Sequence, residues 1–292
     1  MKSSFANFAV RAAPALFVVL WSTGFIATKM ALSGAEPFTW LTLRMGLTVC
    51  VLLVIAVVSR ATWPKGWQIF HSVIAGLLVH GIYLFGVTFA ISQSIPAGLS
   101  ALIPGVQPIL TSTLASRFLG ERVTPLQWAG LLLGLVGVIL VLHNRALTGQ
   151  ASWGWIASIM SLIGITLGTL YQKRFSGQID WRAGNIVQYS AAGACFMVGA
   201  WLFETRTITW HPQFVLAVSW AVLVLSVGSI SLLYWLIRRS GATQVASLFY
   251  LVPAVTATLA YVLFGEQLDA LAIGGMVLCA IGVVVVNRAA PR

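Results

Sequence analysis

The sequence predicts an all-α polytopic membrane protein, ten transmembrane helices arranged as two inverted five-helix repeats. Three observations carry that expectation. The 292 residues are 59% hydrophobic and only 8% charged, too little polar surface to cover a water-soluble domain of this size. Apolar runs of roughly 20 residues, each able to cross about 30 Å of hydrocarbon as a helix, follow one another with short connections. The chain is also written twice: Pro108-Ile109-Leu110 through Leu119-Gly120-Glu121 returns about 145 residues later as Pro253-Ala254-Val255 through Phe264-Gly265-Glu266.

The first run, Ala12 to Leu32, follows Lys2 and Arg11 like a secretory signal, but it continues well past Trp21 and reads as a retained span. Phe38 to Val58 carries Arg44, and Gln68 to Ser92 carries His80 and Tyr83. Pro96 to Leu119 holds Pro104 and Pro108. A proline removes one backbone hydrogen bond and crowds the carbonyl one turn back, so this span is expected to kink. Before Pro125 to Leu142, Thr124 and Gln127 have the spacing of a capping box around a first-turn proline. Trp153 to Gln172, Ala183 to Phe203 and Phe214 to Ile237 open the second copy, where Gly168 and Lys173 match Gly24 and Lys29. Ala242 to Phe264 places Pro253 where the first copy has Pro108, and Ala270 to Val286 starts after a capping Asp269. Glu121 and Glu266 mark the corners before the fifth and tenth spans, where a carboxylate suits the positive end of a helix. The alternative is a pair of state-dependent gate contacts.

Gly130 and Gly134 in the fifth span, and Gly274, Gly275 and Gly282 in the tenth, permit close helix approach. That approach fits packing within one chain as well as a dimer, so monomer and homodimer both stay open. Five spans per copy is an odd number, so the second copy enters the membrane from the opposite side. The first repeat is 1–148 and the second 149–292, together one integral-membrane domain.

The net charge of +11 does not imply a nucleic-acid partner, because the basic residues sort by loop. With the N terminus in the cytoplasm, thirteen of the seventeen Lys and Arg fall inside, only Arg145 and Arg206 fall in outer loops, and Lys29 and Arg44 lie within spans. The positive-inside rule then puts both termini on the cytoplasmic side of a multi-pass membrane protein. Cys50, Cys195 and Cys279 are far apart within spans and read as packing residues, not as a disulfide or metal site. His71, His80, His143 and His211 lie in four separate regions with no ligand spacing, so no metal, cofactor or intramembrane enzyme chemistry is expected. No filter motif points to a channel, and the repeat favours a carrier.

In such a carrier the solute is expected near the midplane, between the repeats. His80 lies about 12 residues into its span, roughly 18 Å along the axis, and Tyr83 shares its face. An ionisable side chain at that depth faces a cavity or a partner; packing is the alternative for His80. Trp21 is too deep for the interfacial belt expected of Trp63, Trp67, Trp153 and Trp155, so it lines the cavity or packs. Gln107 beside the first kink and Tyr250 one turn before Pro253 supply hydrogen-bonding groups. Pro104, Pro108 and Pro253 are expected to shape the cavity and to leave carbonyls for an ammonium group, with a fixed kink that only shapes the bundle as the alternative. Arg44, roughly 9 Å into its span, is expected to bond helix-end carbonyls or snorkel outward, with attraction of a solute carboxylate as the alternative. None of the six acidic residues falls in the middle of a span, which disfavours proton-coupled export of cationic drugs.

Trp21-Ser22-Thr23-Gly24-Phe25 with Lys29, Arg44, and the doubled proline and Gly-Glu signature resemble the EamA family of the drug/metabolite transporter superfamily over essentially the whole chain. The resemblance is greatest to the bacterial amino-acid exporters of the YddG type. It implies a ten-helix inner-membrane carrier working by alternating access. The expected solute is a neutral or aromatic zwitterionic amino acid or related metabolite, moved down its gradient through a cavity of spans 1, 3, 4, 6, 8 and 9. The competing expectation is a proton-coupled exporter of another small metabolite or drug.

Overall fold

The computed structural model describes residues 2–95, 97–142, 152–264 and 269–289. Pro96, His143, Arg145, Gly265, Glu266 and Arg292 lie outside the described residues, as does the 148/149 boundary between the repeats. Among the described residues the apolar runs fold as helices, and the sole extended pairing is an isolated bridge between Ala35 and Ile208.

In chain order the helices are α1 (Lys2–Ala31), α2 (Pro37–Val58), α3 (Trp67–Gly76), α4 (Leu84–Ser92), α5 (Ala97–Leu102), α6 (Gln107–Phe118) and α7 (Pro125–Leu142), then α8 (Ser152–Phe175), α9 (Trp181–Phe203), α10 (Pro212–Ser219), α11 (Ile230–Arg239), α12 (Ala242–Ser247), α13 (Leu251–Phe264) and α14 (Ala270–Arg288). A π segment, Leu77–Tyr83, joins α3 to α4, and another, Trp220–Ser229, joins α10 to α11. Short 3₁₀ segments, Pro104–Val106 and Leu248–Tyr250, join α5 to α6 and α12 to α13. Among the described residues, eight helical stretches are long and apolar enough to cross a membrane, and Pro125–Val141 is a shorter apolar helix. The expected fourth span is present as the broken pair α5 and α6. Its break falls at the prolines, where the 3₁₀ turn lets Gln107 N donate to Pro104 O, the carbonyl that Pro108 would otherwise leave unbonded. Pro108 then sits in the first turn of α6.

The helices pack through small residues. A methyl group built on Gly137 would lie 2.6 Å from Gly275 O, and one built on Gly275 would lie 2.6 Å from Gly137 O. Gly130 and Gly282 approach in the same reciprocal way, at 2.9 and 2.7 Å. Gly130, Gly137, Gly275 and Gly282 therefore serve packing of α7 against α14 within one chain. Cys279, buried in that contact, donates to Gly134 O at 3.6 Å, while Cys50 and Cys195 are exposed; all three are free thiols.

The α2 and α9 pair is tied at both ends. Glu36 accepts from Thr205 N and Oγ1 at 2.8 and 2.7 Å, and Asp180 accepts from Thr62 N and Oγ1 at 3.1 and 3.3 Å. Glu204 accepts from Phe38 N and Thr39 N, both at 2.7 Å, and so caps the start of α2. Thr124 and Gln127 form the expected capping box at α7, at 2.9 and 3.2 Å, and Asp269 accepts from Ala272 N at 2.8 Å to start α14.

Glu121 serves a different helix from the one expected. It accepts from Ala242 N at 2.7 Å and Thr243 N at 3.4 Å, capping α12 across the bundle instead of α7 beside it in sequence. The amides of α7 are already served by Thr124. Those of α12 have only Gly241 before them, a residue with no side chain to offer.

Candidate functional site

The two π segments face a common narrow cleft of ≈ 40 Å³, partly open to the outside. That is below the about 300–1,000 Å³ of sites that enclose a whole small molecule, so the cleft must widen to take a solute. Trp21, Gly24, Phe25 and Thr28 of α1 line one wall. Val79, His80 and Tyr83 of the first π segment, with Leu84 and Val87 of α4, line the second. Leu225, Ser229 and Ile230 form the third, and Arg44 of α2 closes the site. His80 and Tyr83, three residues apart within the first π segment, both reach the cleft.

Trp21 and Tyr83 act as a unit. Their rings stack at 5.8 Å, and Trp21 Nε1 donates to Tyr83 Oη at 3.1 Å. Phe17 and Phe249 pack against Trp21 at 5.2 and 5.3 Å, which fixes the indole from behind. His80 is fully buried and stacks on Tyr189 at 4.0 Å. Its Nε2 lies 3.4 Å from Tyr234 Oη, which donates to Gln188 Oε1 at 2.7 Å, and Gln188 Nε2 reaches Gln172 Oε1 at 3.4 Å. His80 Nδ1 has no hydrogen-bond partner among the described residues. A buried polar atom without a partner costs free energy, and this one belongs to a residue on the cleft wall.

Trp21, His80 and Tyr83 thus come together, and Gln107 and Tyr250 do not join them. Gln107 is fully buried against α8 and donates to Thr169 Oγ1 at 3.3 Å. The Tyr250 ring fills the space left by Gly134, where an added methyl group would lie 2.5 Å from it. Neither side chain lines the cleft, and neither do Pro104, Pro108 and Pro253, all three of which are buried in the bundle. The 3₁₀ turns tighten the chain at both breaks, so the expected display of free carbonyls to a solute does not arise at Pro104 O. The cleft is formed by the first, second, third and eighth spans, and the fourth, sixth and ninth stand outside its lining.

Arg44 departs from the favoured sequence expectation and leaves the alternative, attraction of a solute carboxylate, standing. It neither snorkels nor bonds helix-end carbonyls: it is 5% exposed, and its Nε donates to Ser226 Oγ at 3.1 Å beside Tyr189. Tyr189, Tyr234 and Gln188 also escaped the sequence reading. Their signal was a polar face on apolar spans, Gln188-Tyr189 in one and Ser226, Ser229 and Tyr234 in the other.

The sequence pattern of the EamA-like transporter family matches residues 12–143 and again 152–288. The chain belongs to the EamA-like transporter family. This EamA chain is 26% identical over 253 residues to the protein named Uncharacterized inner membrane transporter YedA of Escherichia coli strain K12, across 86% of this chain and 81% of that one. It is 24% identical over 283 residues to the Uncharacterized transporter YvbV of Bacillus subtilis strain 168, across 94% and 90%. Over 283 residues it is 26% identical to a Probable amino-acid metabolite efflux pump of Salmonella typhimurium strain LT2, across 91% of each. A protein of solved crystal structure superposes with a TM-score of 0.79 at 19% identity, across 96% of this EamA chain and 98% of that one, which is a likeness of fold.

Proposed function

We propose that this EamA chain is an alternating-access carrier that exports amino acids and related small metabolites across the bacterial inner membrane. The observation that carries the reading is the Trp21, Tyr83, His80 and Arg44 cleft between α1 and the two π segments. The name borne by the Salmonella relative supports the substrate class.

The proposed architecture is ten spans in two inverted repeats, 1–148 and 149–292, with both termini cytoplasmic. Its support is reciprocity at one spacing. Exchanging the halves by about 145 residues turns the contact of Gly130 with Gly282 into that of Gly275 with Gly137. The same exchange turns the pairing of Glu36 with Thr205 into that of Asp180 with Thr62, within two residues, and brings each π and 3₁₀ segment close to its counterpart. In the proposed cycle α2, α9, α7 and α14 stay as a scaffold, while the broken helices rock around the cleft. Movement is facilitated and follows the solute gradient, because the described acidic residues stand at helix ends and none can trade a proton for a cation in the cleft.

A proton-coupled exporter of another metabolite is the competing reading. The hydrogen-bonded row of His80, Tyr234, Gln188 and Gln172 favours it. Liposomes holding the purified protein, offered labelled neutral, aromatic and charged solutes with and without a pH gradient, separate the two. Amino-acid uptake indifferent to the pH gradient is the expected result. Transport only of a cationic dye, driven by protons, would overturn the proposal. His80→Gln and His80→Ala should cut uptake at least tenfold with folded protein retained. Wild-type rates in both would return His80 to packing.

A further inference from the structure

We infer that Arg44 is the carboxylate anchor of the cleft, so that the solute is an organic acid with an apolar body and a free carboxylate, an amino acid being one form of it. The inference rests on the cleft being the solute's binding place, as proposed above. Arg44 reaches it from α2 and is 5% exposed. Its hydrogen bond from Nε to Ser226 Oγ at 3.1 Å uses a single donor of five, and Arg44 lines the cleft.

Three other cations of this fold are satisfied by the protein. Lys173 donates to Ile237 O and Ser240 O, Arg238 donates to Ile179 O, and Arg182 is paired with Asp180 at 2.6 Å. The acids are committed elsewhere. Among the described residues Glu36, Glu121, Asp180, Glu204 and Asp269 each accept from backbone amides at loops or helix starts, and none meets Arg44. A buried guanidinium without a carboxylate is costly unless something of opposite charge comes to it. Its planar fork matches a carboxylate through two parallel hydrogen bonds.

Trp21, Phe25 and Tyr83 give the site apolar walls beside that charge. The lining offers no carboxylate to an ammonium group. The recognised handle is therefore the acid end, and an amine lacking it meets only the like charge of Arg44.

Three probes with one phenyl body test this: phenylalanine, 3-phenylpropionate and phenethylamine, titrated calorimetrically into the full chain in detergent. Both acids should bind, with the amine at least tenfold weaker. R44Q should weaken both acids at least tenfold while melting at or above the wild-type temperature, which a merely structural arginine would not allow. Should R44Q fail to fold, R44K keeps the charge without the fork, and a loss of at least threefold in acid affinity is expected. Amine binding equal to the acids, no acid binding to wild type, or unchanged acid affinity in the folded variant overturns the inference. Counterflow in liposomes keeps the two proposals apart. Acid binding without any exchange would remove the carrier and leave the anchor; amino-acid exchange unchanged in R44Q would do the reverse.

Discussion

Arg44 shows how far position along a helix can mislead. At roughly 10 Å from the start of α2, a long cationic side chain has an easy route to the interface, and sequence reasoning sends it there. The structure turns it inward, because the face of α2 that carries it packs against the second π segment and Tyr189. A buried charge without a counter-charge lowers stability, so Arg44→Met should raise the melting temperature of the solute-free protein, by about 1 kcal/mol or more in unfolding free energy. A lower melting point in that variant would mean that the guanidinium holds the fold together. His80 and Tyr83 were legible from depth and spacing alone, and Trp21 from being too deep for the interface. Gln107 and Tyr250 were not, since a residue beside a kink can face cavity or bundle, and only packing against Thr169 and Gly134 decides. Asp180 offers a residue-scale test outside the membrane. Hydrogen bonds from the Arg182 side chain hold its carboxyl at about 2, below the ordinary 3.8. A depressed folded-state value means stability that is present above pH 3.8 and lost as pH falls toward 2. Asp180→Asn should therefore cost about 1 kcal/mol at pH 7, with solvent screening allowed for. Melting curves should converge with wild type between pH 4 and 2, and a gap that persists at pH 2 would contradict this origin.

At the scale of elements, prolines located the breaks and glycines located the closest helix contact, for reasons written in the chain itself. The Pro104–Val106 turn falls where Pro104 and Pro108 deny the helix its hydrogen bonds. The π segments had no such signature. A π turn leaves every backbone group bonded, and its side chains read like those of any apolar helix, so nothing in Leu77 to Tyr83 announces it. Glu121 was legible as a helix-end acid, but its true partner, α12, lies 121 residues away in sequence. The α7 and α14 contact gives the sharpest element-level prediction. A side chain at Gly137 must displace the Gly275 backbone, which cannot yield as a flexible side chain would. Gly137→Val should cost about 1–3 kcal/mol, read as a lower melting temperature in detergent. Gly274→Val, where an added methyl group has nothing within 4 Å, should melt like wild type. Equal losses in the two variants would argue against a specific glycine seam.

For the whole molecule, composition and repetition said the most. Low charge and recurring apolar runs required lipid as solvent, and eight helices long enough to span bear that out, with the shorter and broken ones between them. Family membership followed the doubled signature and spans both halves. What composition could not give was the shape of the cleft, because walls from α1, α2, the π segments and α4 meet only after the bundle forms. The reciprocal contacts at both ends of α2 and α9, and along α7 and α14, are what a rigid frame needs if the remaining helices are to rock. A carrier of that kind exposes one site to each side in turn, and trans-stimulation follows from it. The most direct test is counterflow: liposomes carrying the protein are preloaded with unlabelled phenylalanine and diluted into a trace of the labelled form. The account predicts a saturable overshoot of label inside, abolished when the internal phenylalanine is omitted. Entry of label in simple proportion to its outside concentration, with no overshoot, would contradict alternating access and point to a passive pore.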